Sequence, residues 1–397
     1  MTAGRGAEEP REAYLQEISV PFDYPVYFTR RVFDPSNPIL KELLARREPE
    51  RRHRALVYVD SGVANATPDL CRKIESYFAA FPHRLELAAP PHVVPGGEEV
   101  KNGWAVVKGI MEDIGNAHLC RQSFVVVVGG GSVLDMVGFA ASIVHRGIRT
   151  VRVPTTVLAQ NDAGVGVKNG MNEHGVKNYV GTFWPPFGVV NDFDFLLTLE
   201  HKHWIGGVAE AFKVAIIKDS DFFDFLYSKA EDLNARKMEP MEEVVRRCAV
   251  LHLEHIRTSG DPFEMGSARP LDFGHWSSHR LEVLSRYTMT HGQAVAVGIA
   301  LDSVYAARKG LLGEEELERI LKGLTDCGLA VWTPLLEQRE KGGRLAILKG
   351  LDDFREHLGG QLTVTLPLSI GKRCEVNEMD EKVIEEAVAY LKERFGG

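Results

Sequence analysis

The sequence predicts an α/β domain built on a parallel sheet, followed by a mostly helical domain. The run 123–128 is apolar and rich in β-branched residues, which is typical of a strand buried on both faces. Glycines and a helical pattern over 133–145 follow it, and such alternation of strand and helix indicates parallel strands covered by helices. From about Leu199 onward, most segments have helical spacing.

The individual elements support this division. In the first half, strands are predicted at 55–60, 123–128, 150–153 and 188–191, with helices at 99–114 and 133–145. In the second half, one strand at 362–366 interrupts predicted helices at 204–218, 238–256, 275–286, 292–309, 314–327 and 380–394. We therefore expect three parts, namely residues 1–14, disordered, residues 15–198, α/β, and residues 199–397, helical. The cleft between two such domains is a favoured place for ligands.

Composition and charge limit the kinds of function. The chain has 397 residues, 44% of them hydrophobic and 26% charged, which is ordinary for a soluble protein. A net charge of −8 argues against general binding to nucleic acid or to anionic membranes. The five scattered cysteines indicate neither a disulfide framework nor a cysteine zinc site. The first dozen residues lack the apolar core of a secretory signal, and no apolar run would span a bilayer, so we expect a cytoplasmic protein.

Histidines and acids in the second half predict a divalent-metal site. His275 and His279 are four residues apart and project from one face of a helix, while His291 stands where the next helix begins. Glu210 and Lys213 share a face of an earlier helix. A set of one acid and two imidazoles can leave coordination positions open, where a metal polarises a substrate oxygen. The alternative is that these are ordinary core or surface histidines, in a chain that has 14 of them.

A phosphate-binding turn is predicted after the central strand. The passage from strand through Gly129–Ser132 into a helix lets the backbone approach an anion and offers free N–H groups to it. It lacks the GxGxxG pattern, and a tight strand-to-helix turn would need glycine anyway. Asp60 ends a strand and Glu98 begins a helix, so either could accept from a ribose hydroxyl. Their alternatives are a helix N-cap and a solvated helix start.

A second charged stretch has the character of a phosphate cradle. Asp162 and Lys168 flank a loop with two glycines, and Lys177 and Asn178 follow in another glycine-rich segment. Cations and an amide in such a stretch can hold a phosphate monoester, and we expect Lys177 to contact the substrate. The alternative is a solvent-facing loop with scattered charge.

The motifs together resemble one enzyme superfamily. In chain order they are GGGS-x-x-D, H-R-G-I, P-T-T-x-L-A-Q-x-D-x-x-V-G-x-K, G-x-K-N-x-x-G, A-E-x-x-K, D-F-G-H-x-x-x-H and H-G, spread over most of the chain. This order resembles the 3-dehydroquinate synthase superfamily, the sugar phosphate cyclases. The resemblance implies a dehydroquinate synthase-like fold and a homodimer that uses NAD and zinc (or cobalt) to cyclise a seven-carbon sugar phosphate.

The resemblance also implies roles for individual residues. The zinc ligands are Glu210, His275 and His291. The catalytic positions are Asp162, which matches the acid beside the reacting hydroxyls, Lys168 and Lys213, which match substrate-binding lysines, and His279, which matches a nearby hydrogen-bonding histidine. Asn178 matches a substrate-binding position, and Arg146 matches an arginine that reaches the phosphate in the neighbouring subunit. The positions that match NAD contacts are Asp60, Glu98, Lys101, Gly130, Gly131, Asp135, Thr155, Thr156 and Thr198.

The implied chemistry uses NAD without consuming it. A substrate hydroxyl chelated by zinc is oxidised to a ketone, which acidifies the adjacent C–H. Phosphate then leaves by β-elimination, and the phosphate itself can serve as the base, which would explain why no general base stands out in the sequence. The hydride returns to the substrate, and ring opening and an intramolecular aldol step close a carbocycle. One cleft that holds both reacting ends lowers the entropic barrier.

Departures from the 3-dehydroquinate synthase pattern favour another substrate. That enzyme binds a substrate carboxylate with a lysine and an arginine, but this chain has no lysine in 248–256, and the arginine is displaced by one residue to Arg269. Asp272 stands where synthases usually have asparagine. An added acid and a lost lysine disfavour a carboxylate ligand. Arg269 could supply the missing charge, so 3-dehydroquinate synthase remains the alternative.

Three segments are instead similar to the sedoheptulose 7-phosphate cyclases, namely 261–264, 268–276 and 354–360. The substrate of those enzymes has a neutral hydroxymethyl ketone in place of the carboxylate. We expect Arg269, Asp272, Arg355 and His357 to contact it. A valiolone-type product is favoured, either 2-epi-valiolone or 2-epi-5-epi-valiolone.

Two further classes stay open. A metal-dependent polyol dehydrogenase of the glycerol dehydrogenase type shares the architecture and would release NADH, but it has no use for Lys168, Lys177 and Asn178 as phosphate ligands. A non-catalytic protein on a retained enzyme fold would have damaged ligand positions, whereas every metal position here is a competent ligand.

Overall fold

The computed structural model describes residues 13–174, 176–263, 270–357 and 361–397. Within these ranges, a seven-stranded parallel sheet occupies the first half of the chain. The strands of this sheet are β1 (Val26–Thr29), β2 (His53–Asp60), β3 (Leu85–Leu87), β4 (His92–Val94), β5 (Phe124–Gly129), β6 (Arg149–Pro154) and β9 (Gly188–Asp192). Between β6 and β9, the chain forms a separate hairpin of β7 (Lys168–Glu173) and β8 (Val176–Phe183).

The sheet is covered by helices on both faces. Its order is β1-β9-β6-β5-β2, with β3 and β4 beside successive parts of β2. Side chains that alternate along β2 and β5 point to opposite faces, so Val57 packs with one core cluster and Leu56 with another. The helices of this half are α1 (Ile39–Ala45), α2 (Ser61–Ala66), α3 (Leu70–Ala80), α4 (Ala105–Asn116) and α5 (Gly131–Ile143).

The second half is mostly helical. Helices α6 and α11 are buried along most of their length, as expected for the centre of a helical layer. None of the described helices combines the length and the apolar character needed to cross a membrane. The elements are α6 (His201–Lys218), α7 (Ser220–Ser228), α8 (Ala230–Asn234), α9 (Met238–Thr258), α10 (His275–Leu284), α11 (His291–Arg308), α12 (Glu314–Asp326), α13 (Lys349–His357), a hairpin of β10 (Val364–Ser369) and β11 (Lys372–Val376), and α14 (Glu381–Phe395).

The predicted fold class is confirmed, although β1, β3 and β4 and the helices α1 to α3 were not predicted, and two further regions differ from the prediction. The predicted helix 99–114 is broken, because Gly103 has a φ of 76° that cannot continue a helix, and α4 begins only after it. The hairpin of β7 and β8 was not predicted, because its sequence is polar and glycine-containing. Asn169 and Asn172 nonetheless lie buried in it, since both side chains are hydrogen-bonded. The predicted disordered segment 1–14 lies, apart from its last two residues, outside the described residues.

Candidate active site

Three helices approach one another closely because glycines line their contacts. A Cβ on Gly292 of α11 would lie 2.0 Å from the carbonyl oxygen of Gly206 in α6. Gly274, just before α10, has a φ of 76°, and its carbonyl oxygen lies 2.2 Å from the place of a Cβ on Gly298 of α11. No side chain fits at these contacts. The close packing brings functional side chains from α6, α10 and α11 to one point.

An acid and two imidazoles converge there. Glu210 of α6, His275 at the start of α10 and His291 at the start of α11 each offer a ligand atom, and these atoms all lie within 4.8 Å of one another. Oε1 of Glu210 is 3.3 Å from Nε2 of His291 and 3.8 Å from Nε2 of His275. Among the described residues, neither oxygen of this buried carboxylate has a partner in hydrogen-bonding geometry, although Nζ of Lys213 forms an ion pair with Oε2. The donor set therefore fits a divalent cation.

Neighbouring acceptors orient both imidazoles. Nδ1 of His275 lies 3.1 Å from the carbonyl oxygen of Phe273, and Nδ1 of His291 lies 2.6 Å from Oε1 of Glu282. Each ring thus turns its Nε2 toward Glu210, which is the arrangement typical of metal-binding histidines. Sequence reasoning missed Glu282, although its place seven residues after His275 puts both on the same face of α10.

His279 borders this cluster. Its ring stacks against His291, with centroids 5.9 Å apart, and meets His275 edge-on at 5.3 Å. Unlike the three predicted ligands, His279 is exposed. With Glu282 and His291 it forms a second group that could hold an ion.

The charges of the cluster are strongly coupled. Burial lowers the pKa of His275 to about 3, with help from the Lys213 cation, so this imidazole is neutral at pH 7, as a metal ligand must be. Burial also opposes a charge on His291, but Glu282 and Glu210 outweigh it and raise its pKa to about 9. Lys213 is buried against Glu210, and this contact raises the pKa of Lys213 and lowers that of Glu210 despite burial. Lys213 thus places a positive charge beside Glu210, as a bound metal ion would also do.

Asp162 lies beside this charged centre and pairs with a histidine that the sequence did not reveal. Nδ1 of His252, on α9, is 2.9 Å from Oδ1 of Asp162. Burial raises the pKa of Asp162, but His252 and Lys213 outweigh it and lower the pKa to about 2. Asp162 is therefore a carboxylate at pH 7. It lies in a π-helical turn, Ala159–Ala163, and such turns are frequent at functional sites.

A buried arginine fixes the loop between Asp162 and Lys168. Arg152, on β6, is 1% exposed, and its guanidinium donates to the carbonyl oxygens of Gly166 at 2.8 Å and Lys168 at 2.9 Å. It also donates to the carbonyl of Gly164 at 3.2 Å and, from the same group, to Oδ1 of Asn169 at 2.8 Å. Within the described chain no carboxylate pairs with it, so backbone dipoles hold this cation. Sequence reasoning missed it because it stands inside an apolar strand.

The predicted nucleotide residues collect at the carboxyl ends of the strands. Gly130 and Gly131 begin α5 directly after β5, which leaves free N–H groups there. Asp60, at the end of β2, accepts from the backbone N of Gly62 at 2.7 Å and thus caps α2, and its contact with NAD stays a prediction. A Cβ on Gly96 would lie 2.2 Å from Oδ1 of Asp60, so the backbone passes tightly over this carboxylate.

The threonines of this group differ in their surroundings. Oγ1 of Thr155 is buried and has no partner among the described residues. Thr156 accepts from the backbone N of Ala159 at 3.1 Å, and Thr198 donates to the carbonyl of Phe195 at 2.8 Å.

A network joins the nucleotide positions to the hairpin. Nζ of the buried Lys101 lies 2.9 Å from Oδ2 of Asp135 and also contacts Oδ1 of Asn178. Glu98 accepts from Oγ of Ser132 at 2.7 Å and from Nδ2 of Asn172 at 3.1 Å. These contacts fix β8 against the start of α5.

The lysines Lys168 and Lys177, predicted to bind substrate, lie on the hairpin of β7 and β8. Lys177, on β8, contacts Glu282 of α10 and lies 3.8 Å from Glu98, so it bridges the α/β and helical halves. Its ion pair with Glu282 was not predicted. Lys168, at the start of β7, is exposed, while its carbonyl is bound by Arg152.

Arg146 lies apart from the metal cluster. It is exposed, and it stands in a turn in which His145, Arg146 and Gly147 have φ values of 52°, 63° and 111°. Two consecutive non-glycine residues with positive φ are costly, and such strain is concentrated at functional sites. The turn lines an open groove that contains no residue of the metal cluster.

Of the remaining predicted substrate contacts, one lies near the metal cluster, one is exposed, and two fall outside the described residues. Asp272 ends a 3₁₀ turn before α10, and its negative charge helps to raise the pKa of Lys213. Arg355 is exposed on α13. Arg269 and the side chain of His357 lie outside the described residues.

Comparisons with known proteins agree with these features. The family models described as "3-dehydroquinate synthase N-terminal" and "3-dehydroquinate synthase C-terminal" match residues 91–206 and 207–345. A 2-epi-5-epi-valiolone synthase from Streptomyces hygroscopicus subsp. jinggangensis is 32% identical over 395 residues, which cover 97% of this chain and 90% of the relative. A 3-dehydroquinate synthase from Sulfurovum sp. is 35% identical over 308 residues, or 76% of this chain and 82% of that protein.

Solved structures give the same result. The Streptomyces 2-epi-5-epi-valiolone synthase, solved with NAD⁺ and Zn²⁺ bound, has a TM-score of 0.82 and 30% identity, covering 97% of this chain and 99% of that one. A 2-deoxy-scyllo-inosose synthase in complex with carbaglucose-6-phosphate, NAD⁺ and Co²⁺ shares the fold, with a TM-score of 0.73, 23% identity and coverage of 91% and 95%. The chain belongs to the 3-dehydroquinate synthase superfamily and is a sugar phosphate cyclase.

Proposed function

We propose that the protein converts sedoheptulose 7-phosphate to a C7 cyclitol, 2-epi-valiolone or 2-epi-5-epi-valiolone, with NAD and zinc (or cobalt) as cofactors. The observation that carries the proposal is the charge balance of the centre. The ammonium groups of the buried Lys213 and the half-buried Lys177 are already paired, with Glu210 and Glu282 respectively. Asp272 adds negative charge that faces Lys213. An uncharged polyol end suits these surroundings better than a carboxylate does.

The residues divide the work between holding and orienting. Glu210, His275 and His291 would hold the metal, while the start of α5 faces the phosphates of NAD. When bound, the metal polarises substrate hydroxyls and NAD takes and returns a hydride. Lys213 neutralises Glu210, which keeps a buried carboxylate ionised without a proton.

Asp162 and the hairpin orient the substrate. The ionised Asp162 accepts hydrogen bonds from hydroxyls next to the metal, and the loop after it presents Lys168. Lys177 and Asn178 extend from β8 toward the phosphate. Phosphate leaves from a substrate held at both ends, so the aldol step that closes the ring is intramolecular.

The direct test is incubation with sedoheptulose 7-phosphate and an amount of NAD far below that of substrate. We expect inorganic phosphate to be released in step with substrate loss, without net formation of NADH, and NMR to show a valiolone. The carboxylated precursor of dehydroquinate serves as the comparison. Phosphate release from that precursor alone would favour 3-dehydroquinate synthase, and net NADH from an unphosphorylated polyol would favour a dehydrogenase.

We also propose a homodimer in which Arg146 reaches the phosphate bound by the partner subunit. Its strained, exposed turn and its separation from the metal cluster support a role in trans. Nearby, the extended segment before β1 exposes Ile18, Val20 and Phe22 at alternate positions, and Phe22 packs edge-on against Trp184 of the same groove. Exposed apolar side chains in series are typical of a surface that another chain covers.

Mixing two inactive variants tests this arrangement. Arg146→Ala and His275→Ala subunits should each be inactive alone, whereas a heterodimer carries one site with an intact metal set and an intact arginine from its partner. We therefore expect activity to return when the two are refolded together, measured as phosphate release. Purified heterodimers that remain inactive would contradict action in trans.

A further inference from the structure

His252 pairs with Asp162 from a different helix than the one that carries Glu210 and Lys213. It projects from α9 onto the π-helical turn, and its Nδ1 lies 2.9 Å from Oδ1 of the carboxylate. The two side chains are only 16% and 27% exposed. Because an ionised carboxylate can only accept, Nδ1 must carry the proton and donate it. The bond therefore restrains one of the two oxygens of Asp162, Oδ1.

The other edge of the imidazole touches the same loop. A Cβ on Gly166 would lie 3.5 Å from Nε2 of His252, which is ordinary van der Waals contact. Two other side chains also hold this loop. Arg152 donates to the carbonyl of Gly166, and the hydroxyl of Tyr24 donates to the carbonyl of Val165 at 2.9 Å. His252 adds a contact to both ends of the segment from Asp162 to Gly166.

We propose that His252 is a positioning residue for the sugar phosphate cyclase reaction, because its Nδ1–H fixes one oxygen of Asp162 and thereby aims the other at the substrate hydroxyls. This inference rests on the proposed place of Asp162 beside those hydroxyls. Without the hydrogen bond from His252, the carboxylate of Asp162 would rotate about its side-chain torsions and populate several orientations. Small misplacement of an orienting group costs turnover more than it costs binding.

The first test replaces His252 by leucine and by asparagine. His252→Leu removes the donor, so we expect kcat for phosphate release to fall about 10- to 100-fold, with little change in the affinity for NAD or in zinc content. The side-chain amide of asparagine can donate from a place close to Nδ1, so His252→Asn should recover most of the loss. His83→Leu, at an exposed histidine, is the control. An unchanged kcat in His252→Leu, or no rescue by asparagine, would overturn the proposal.

A double variant separates positioning from general stability. If His252 acts through Asp162, then adding His252→Leu to Asp162→Asn should lower kcat little further, because the group it positions is already lost. Losses that multiply in the double variant would mean that His252 acts independently of Asp162, and the proposal would fail.

A readout without turnover keeps the inference testable even if the proposed substrate is wrong. Crystal structures of the wild type and of both variants, each with NAD and zinc, should show the carboxylate of Asp162 rotated in the leucine variant and unmoved in the asparagine variant. A carboxylate in the same orientation in all three would contradict the proposal. Failure of the proposed function would appear differently, as a wild-type protein that does not release phosphate from sedoheptulose 7-phosphate.

Discussion

Replacing His275 with alanine should abolish both metal binding and turnover. The imidazole offers Nε2 to the point where Glu210 and His291 converge, and with one of the three donors missing the remaining pair leaves a partly hydrated, weakly held ion. Loss of the metal removes several kcal/mol of transition-state stabilisation, which corresponds to a fall in kcat of about 1,000-fold or more.

Metal analysis and phosphate release measure the two effects separately. His201→Ala is the matched control, because His201 is exposed at the start of α6 and offers no ligand to the described cluster. Glu210→Gln provides a second test with nearly the same side-chain volume, so that a lower metal content can be distinguished from a folding defect by the melting temperature. Full metal content together with wild-type kcat in His275→Ala would remove the basis for the metal site.

Replacing Arg152 with methionine should be the most destabilising single change in the α/β half. The guanidinium satisfies the carbonyls of Gly164, Gly166 and Lys168, and each buried acceptor left without a donor costs about 1–3 kcal/mol. We therefore expect a loss of more than about 3 kcal/mol in the free energy of unfolding. The freed loop would also misplace Asp162. Phosphate release should therefore fall even without urea, where the variant is still folded.

The chain offers a matched control on the same strand. Arg149 begins β6 and pairs with Glu48 through two hydrogen bonds of 2.7 and 2.6 Å nearer the surface. Its replacement by methionine should cost about 1 kcal/mol or less, because a solvent-accessible ion pair contributes little. Urea unfolding of both variants, with phosphate release measured in the absence of urea, checks the difference. Equal losses of stability would show that Arg152 has no special role in the loop.

The histidines of the metal cluster could be predicted from local spacing, whereas Glu210, 65 residues before His275, was assigned from the resemblance to the superfamily. His275 and His279 are one helical turn apart, and His291 begins the next helix, so spacing alone predicted neighbours. The same spacing could have revealed Glu282 on α10. The sheet was equally predictable, since β2 and β5 are apolar runs buried on both faces.

Other parts depend on contacts between residues distant in the chain. His252 meets Asp162 across 90 residues, and nothing in the spacing within α9 indicates that contact. In the sequence, Arg152 is only a charged residue inside an apolar strand. Its hydrogen bonds form only when the loop that follows the strand folds over it. The hairpin of β7 and β8 was missed because its four consecutive buried positions include two asparagines and a glycine, which a search for alternating apolar residues ignores.

A crystal of the protein grown with zinc and NAD, with anomalous scattering recorded at the zinc edge, tests the metal centre most directly. We predict a single strong peak about 2.0–2.2 Å from a carboxylate oxygen of Glu210, Nε2 of His275 and Nε2 of His291. A peak held instead by His279, Glu282 and His291, or three predicted ligands with no ion between them, would contradict it.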